Sequence, residues 1–392
     1  MSDRGSGPPR DRDGGRRVRG AGARLNNLGK DRGRAVDWIG RHQLISFYLM
    51  AFSLSWSLGI VYSVTDSDVF VPLVAVAACG PALAAITITG LLDSTGTLLA
   101  GRDFWRTFVL ALPIAALVLF LGWTQLEDPE APMVALAVFS FVVALPVTFV
   151  LATVRSRRPA VRQFMGSLFR VRGVGPWLLV AVVFIPGLLF LAQWTDQALG
   201  EPWLGLDLPD TGWALVGLIL VKFAYQLLYF NATGEEVGWR GFALPRMQAR
   251  TSPLIAAIVI GILWAPWHFW LWESEGKEVW TVEFWLEMFS AHILFSVLLV
   301  WMCNRAGGSI LVAGVGHAAT NTAFEYITGL SALGIQLTWL GAALLLIFSD
   351  RMWRRLPPDH PVVHRPDPLW SPDAAESRAQ EPVISASATD RP

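Results

Sequence analysis

Apolar runs of roughly 17–25 residues follow one another along most of this 392-residue chain. They fall near residues 44–64, 69–93, 105–123, 132–154, 176–195, 213–233, 253–271, 283–302, 308–327 and 332–349. A helix needs about 20 apolar residues to cross a bilayer core, so the pattern predicts an all-α, polytopic helical bundle of about ten transmembrane helices. The eighth and ninth runs are weaker than the rest. The connecting segments alternate in charge. Arg102 and Arg106 follow the second run. Arg155, Arg157, Arg158, Arg162, Arg170 and Arg172 follow the fourth. Arg246 and Arg250 follow the sixth, Arg305 the eighth, and Arg351, Arg354 and Arg355 the last. The intervening loops are acidic or neutral, with Asp66 and Asp68, then Glu127, Asp128 and Glu130, then Asp196, Glu201, Asp207 and Asp210, then Glu273, Glu275 and Glu278. Basic loops face the cytoplasm, which puts both termini there, N-in and C-in.

Four regions follow. Residues 1–42 are polar and Gly/Arg-rich and read as a disordered basic cytoplasmic arm. Residues 43–175 hold the N-terminal transmembrane segments, of which 105–123 and 132–154 read as a pair appended to a smaller core. Residues 176–350 hold that core. Residues 351–392 are rich in Pro, Asp, Ser and Arg and read as a disordered cytoplasmic tail. No cleavable signal peptide is visible at the start. The arm has no aromatic or motif support for binding nucleic acid, so no nucleic-acid partner is expected.

Composition agrees with the membrane reading. The chain is 53% hydrophobic and 16% charged, where a soluble domain is about a quarter charged. The net charge of +0 conceals the alternation along the loops. The two cysteines, Cys79 and Cys303, give neither metal-ligand spacing nor a disulfide framework. Several of the 19 Trp lie near segment ends, where interfacial aromatics sit. There is no convincing internal repeat, which weighs against a transporter built from inverted halves. The Arg-, Ala- and Gly-heavy tails suggest a GC-rich bacterial genome and the cell membrane as the location.

Three polar clusters interrupt the apolar runs: Gly234-Glu235-Glu236-Val237-Gly238-Trp239-Arg240, Trp264-Ala265-Pro266-Trp267-His268 and His317-Ala318-Ala319-Thr320-Asn321. Ionisable groups are costly inside a bilayer and mark a functional site there. Glu235 lies 16 residues before Thr251 and His268 lies 17 after it. At about 1.5 Å per residue both stand roughly 25 Å from the same turn, side by side. Gly234, Gly238, Gly241, Pro245 and Pro266 invite kinks that would bring them nearer the cytoplasmic surface. His317 and Asn321 share a helical face, and Glu236 with Arg240 can form an i,i+4 ion pair. Together these spacings predict one polar cavity, open to the cytoplasm.

A carboxylate beside an imidazole can deprotonate a water. An imidazole and a carboxamide on one face can donate hydrogen bonds to a developing oxyanion. Glu235, His268 and His317 also have the ligand types of a Zn²⁺ site with an open position, although no His-Glu-x-x-His motif is present. The remaining polar residues have plainer readings. His292 reads as an interhelical hydrogen bonder, His42, His360 and His364 as solvated, and Glu325 as an interfacial acid. Gly307-Gly308 reads as a turn. Asn231-Ala232-Thr233 has the form of a glycosylation sequon but falls beside the proposed site.

At these clusters the chain resembles the CPBP family (Abi, or CAAX-protease-like, intramembrane endopeptidases), which includes the type II CAAX prenyl endopeptidase. The family pattern is Glu-Glu-x-x-x-Arg, aromatic-x-x-x-His and His-x-x-x-Asn. It is met in order by Glu235-Glu236-x-x-x-Arg240, Trp264-x-x-x-His268 and His317-x-x-x-Asn321, within residues 213–345. Trp264 stands where Phe is frequent. The resemblance implies that Glu235 activates a water with help from His268. It also implies that His317 and Asn321 form the oxyanion site and that Glu236 and Arg240 support them. The family has been described both as metalloproteases and as metal-free glutamate enzymes, and the second account, with no cofactor required, is favoured. The implied partners are the lipid bilayer and a membrane-associated protein or peptide substrate. Two other readings share the sequence: a non-catalytic family member acting in bacteriocin self-immunity or partner binding, and a proton-coupled transporter using Glu235 and the histidines as a relay.

Overall fold

The computed structural model describes residues 33–65, 71–93, 95, 99–124, 133–166, 171–203 and 212–363. Among them there is no strand. The first part comprises α1 (Gln43–Thr65), α2 (Val71–Ala78), α3 (Gly80–Leu92), α4 (Arg102–Trp123), α5 (Met133–Ala152), α6 (Pro159–Gly166) and α7 (Gly175–Ala198). Then come α8 (Trp213–Tyr225), a π-helical segment (Gln226–Ala243) and α9 (Leu244–Gln248), which run on without a break. The last helices are α10 (Pro253–Trp267), α11 (Phe269–Ser274), α12 (Val282–Arg305), α13 (Ile310–Tyr326) and α14 (Ala332–Ser349).

Among the described residues eight helical stretches are long and apolar enough to cross a membrane. The protein is thus a multi-pass helical membrane protein. The other two expected spans are helical but modified. The run 69–93 is divided at Cys79, where Gly80-Pro81 opens a new helix, as Pro does in a first turn. The ninth, α13, has 17 residues and carries a polar cluster. Within the expected arm, residues 33–41 are helical, and 1–32 lie outside the described residues. The expected tail is also shorter than its composition suggested. Met352 and Val362 are buried, and Leu254 N–H donates to the Met352 carbonyl at 3.0 Å, so residues 351–363 pack on the bundle. Residues 364–392 lie outside the described residues, as do the acidic loops 66–70, 125–132 and 204–211.

Hydrogen bonds sort the remaining turns into two ends. At the arginine-rich end, Arg157 N–H and Ser156 Oγ–H donate to the Leu99 carbonyl at 3.1 and 2.9 Å. Arg305 Nε donates to Asp350 at 2.6 Å, and Gln248 Nε2 donates to Asn304 at 3.1 Å. At the acidic end, Asp196 accepts from Ser331 N–H at 3.0 Å, and Ser63 donates to Glu273. Gly307 and Gly308 turn the chain at the arginine end with φ of 64° and 83°, the left-handed region that favours glycine.

Helices in lipid associate through close packing rather than through expulsion of water, so small residues set where they touch. A Cβ on Gly238 would come within 2.5–2.8 Å of Pro81, which lets α3 lie directly on the π-helical segment. A Cβ on Gly261 would sit 2.6 Å from Ile293 Cα, which draws α12 against α10. The α4–α5 pair, read from sequence as an appendage, buttresses the outer side of the same long helix. Ala115, Leu119, Val143 and Val147 pack with Tyr225 and Tyr229, and Tyr229 Oη–H donates to the Ala115 carbonyl at 2.8 Å.

Candidate active site

The first cluster lies within the π-helical segment, not at a kink. Over 18 residues the backbone bonds i to i+5, as where Leu244 N–H reaches the Trp239 carbonyl. Such a register is rare, is usually confined to one turn, and gathers at functional sites. It is held by packing on both flanks: Gly238 against Pro81, and Gly314 of α13 against Ala232, where a Cβ would approach to 2.6 Å. The second cluster is placed by Pro266. Having no N–H, it cannot continue the helical ladder. The chain leaves α10 at His268, whose N–H bonds the Ala265 carbonyl at 3.1 Å before α11 begins.

The two adjacent acids meet different surroundings. Glu236 is fully buried, and its Oε1 accepts from Arg240 Nη1 at 3.0 Å and from His317 Nδ1 at 2.9 Å. Glu235 Oε2 accepts from the Trp264 indole N–H at 2.5 Å and stands 3.9 Å from His268 Nε2. His268 Nδ1 is 3.1 Å from the Trp264 carbonyl. A carbonyl only accepts, so that nitrogen carries a proton, and in the neutral ring Nε2 presents a lone pair toward Glu235. Two acceptors facing each other across 3.9 Å call for a donor between them.

Glu235, His268, His317 and Asn321 all line one cavity of about 540 Å³. Asn321 is in the wall one turn beyond His317. Aromatic rings form much of the remainder: Trp272 stacks on His268 with centroids 5.0 Å apart, and Phe295 meets His317 edge-on at 5.2 Å. The cavity runs from these residues past Phe324 and Ala332 to Glu275 and Glu287. Of this lining, Glu275 and Glu287 are exposed, at the acidic end of the bundle. Sixteen residues separate Ser252 from His268, roughly 24 Å of helix, whereas Glu275 is about 10 Å beyond His268.

Two contributors escaped the sequence reading. His292, read as a plain interhelical hydrogen bonder, lines the cavity with its ring 5.0 Å from that of His268. Trp264 is more than a volume match for Phe. Its indole N–H holds Glu235, and its face carries the Arg240 guanidinium at 4.4 Å. The His residue in the weakly apolar eighth run was the available signal for the first, and the Phe-to-Trp departure was the signal for the second. Of the plainer readings, Asn231 is fully buried, and Glu325 pairs with Lys222 at 3.5 Å.

The expected metal set does not fit this arrangement. Glu235 is engaged by an indole N–H and His317 by Glu236, and among the described residues no three His, Cys, Asp or Glu converge as ligands. Both cysteines are buried elsewhere.

Fold and site together define a polytopic membrane protein with an acid–imidazole cavity inside the bundle. Residues 212–323 match the family profile of the Rce1-like type II CAAX prenyl endopeptidases. A CAAX prenyl protease 2 of Methanococcus maripaludis is 31% identical over 137 residues, 32% of this chain and 50% of that protein. The match thus spans about half the length of that relative. Residues 212–323 are thus similar to the CPBP, or CAAX-protease-like, family.

Proposed function

We propose that the chain is an intramembrane endopeptidase of the cell membrane that hydrolyses a peptide bond in a membrane-associated protein or peptide. The observation that carries this reading is that Glu235, His268, His317 and Asn321 line one cavity in the segment that matches the protease family. A water between Glu235 and the His268 Nε2 lone pair can donate one hydrogen to each. As its oxygen bonds the carbonyl carbon, a proton passes to Glu235 and the carbonyl π pair becomes an oxyanion. Collapse re-forms the carbonyl and breaks the C–N bond, and the proton moves from Glu235 to the departing nitrogen.

The oxyanion falls to His317 and the Asn321 amide. His317 already gives Nδ1–H to Glu236, so to donate from Nε2 as well it must be an imidazolium. Two carboxylates, Glu235 and Glu236, then balance two cations, Arg240 and His317. A balanced set is the arrangement in which buried charges are tolerable. No step uses a metal.

The test is peptidase activity of the purified full chain against a fluorogenic peptide library, with Glu235→Gln and His268→Ala beside wild type, each with and without a zinc chelator. Cleavage that is chelator-insensitive and lost in both folded variants is the expected result. Chelator-sensitive cleavage would replace the glutamate mechanism with a metal one. A folded wild type that cleaves nothing would favour a non-catalytic, partner-binding member of the family.

A further inference from the structure

We infer that the cavity takes its substrate from the extracytoplasmic side of the membrane, as a juxtamembrane peptide segment bearing a basic residue. The substrate half of this inference rests on the endopeptidase reading; the side of opening does not.

The sidedness comes from joining two observations. Arg102, Arg106, Arg155, Arg157, Arg158, Arg246, Arg250, Arg305, Arg351, Arg354 and Arg355 all fall in or beside turns at one end of the bundle. The hydrogen bonds of Leu99, Asn304, Asp350 and Met352 tie those turns together. An excess of Arg near span ends marks the cytoplasmic side. Exposed tryptophans mark where the bilayer ends: Trp105 and Trp353 at the arginine end, and Trp194, Trp203, Trp213 and Trp280 at the other. The inner wall of the cavity comes from Gln226, Phe230 and Glu235 of the π-helical segment, Trp264 of α10 and His317 in the middle of α13, and the rest from α11, the first half of α12, the second half of α13 and the first half of α14. The stretches of that outer part lie toward the end opposite the arginines. The mouth therefore opens among the outer tryptophans, at the extracytoplasmic interface.

The rim supplies the substrate chemistry. Glu275 and Glu287 flank the mouth, and both are exposed. The stretch around them adds Glu278 and Glu283 against a single Lys277. Below the rim the walls are aromatic, with Trp272, Phe295, Phe324 and Trp339. A segment with apolar residues at the scissile bond and Arg or Lys a few residues away matches both layers. At about 6 Å in water each rim carboxylate favours a cation over a neutral residue by about threefold.

Sidedness can be measured without activity, because Cys79 and Cys303 are both fully buried and leave a quiet background. Glu275→Cys and Arg354→Cys would be made separately in the full chain and treated with a membrane-impermeant maleimide, in sealed intact cells and in inverted vesicles. Labelling of Glu275→Cys in intact cells, and of Arg354→Cys only in inverted vesicles, is expected. The reverse pattern, or both positions reached from one side, overturns the inference. Lys277→Cys and Arg355→Cys serve as the pair if either first variant fails to accumulate. For the substrate half, peptides differing only by Arg or Glu flanking the cleaved bond would be compared in detergent. A several-fold preference for Arg in kcat/KM that shrinks toward parity in Glu275→Gln/Glu287→Gln is expected. Equal rates overturn the cationic preference. No cleavage of either peptide overturns the endopeptidase reading and the substrate half with it, while the labelling result stands on its own.

Discussion

Replacing Glu236 by Gln tests the charge balance of the site. The amide keeps an acceptor for Arg240 and His317 but removes the negative charge that both share through Oε1. Glu236 and Arg240 side chains are both 0% exposed, so water cannot take over the lost partner. Breaking a buried pair from one side costs about 3–5 kcal/mol, and the retained acceptor argues for the lower end, about 3 kcal/mol. At about 2–4 °C per kcal/mol that is on the order of 6–12 °C in Tm. The cheapest relief is for His317 to give up its second proton, which removes an oxyanion donor. Losing one such donor costs about 10²–10³ in kcat. The assay is thermal unfolding in detergent together with kcat on a cleaved peptide, for Glu236→Gln, Arg240→Met and the double variant. The double variant removes both charges, so its destabilisation should be smaller than the sum of the singles. Wild-type Tm and kcat in Glu236→Gln would refute the reasoning outright. Lost stability with intact kcat would leave Glu236 as a strut and remove the imidazolium from the reaction.

Trp264→Phe restores the residue frequent in the family but deletes the N–H held by Glu235. A hydrogen bond to a charged group contributes about 1.5–3 kcal/mol, and a loss of that size should appear in detergent unfolding. Gly238→Ala drives a methyl into Pro81 where its backbone is fixed. Overpacking of about 1–3 kcal/mol is expected, with kcat falling as the π-helical segment shifts, whereas alanine at the open Gly217 should change neither. Asp350, outside the spans, has its carboxyl held below the ordinary carboxylate value by hydrogen bonds from Arg305 and then Trp301. A depressed folded value contributes stability above the unfolded value that disappears as pH falls through the folded one. Asp350→Asn should therefore lower Tm slightly near neutrality and converge with wild type in acid. Screening at the half-exposed Arg305 limits the effect to about 0.5 kcal/mol.

The helices were legible because ten long apolar runs leave little else for a chain in lipid to do. The break at Cys79 was legible in principle, since Gly80-Pro81 is a turn signal. It was masked by the apolar residues on both sides. The i,i+4 pairing of Glu236 with Arg240 follows from sequence spacing, and the structure has it at 3.0 Å. The π register could not be read, because hydrogen-bond register is chosen by close packing at Gly238 and Gly314 and not by a residue pattern. The end at which the cavity meets solvent was harder to read for a different reason. The spacings of Glu235 and His268 from Thr251 located their depth, but prolines and glycines were credited with shortening it. In the fold α10 ends at His268, which lines the cavity, and the exposed lining residue Glu275 lies further along the chain, away from the arginine end.

Adjacent carboxylates are an awkward pair to bury, because two like charges at close range suppress each other's ionisation. Here helical geometry resolves the conflict. Successive residues on any helix point in different directions around its axis, so Glu235 and Glu236 address different neighbours. Glu236 turns into the bundle, where Arg240 and His317 are its two hydrogen-bond partners, and it does not line the cavity. Glu235 turns toward the cavity, with one indole donor and a facing imidazole lone pair. In the proposed mechanism Glu236 thereby organises the donor side of the site through His317, while Glu235 is left as the base. Interchanging the two roles would require Glu236 to abandon both of its hydrogen-bond partners. The order of residues within the Glu-Glu pair is thus set by what packs on each side of the helix. It follows that an acid at position 235 alone, with position 236 neutral, should bind a peptide yet turn it over poorly.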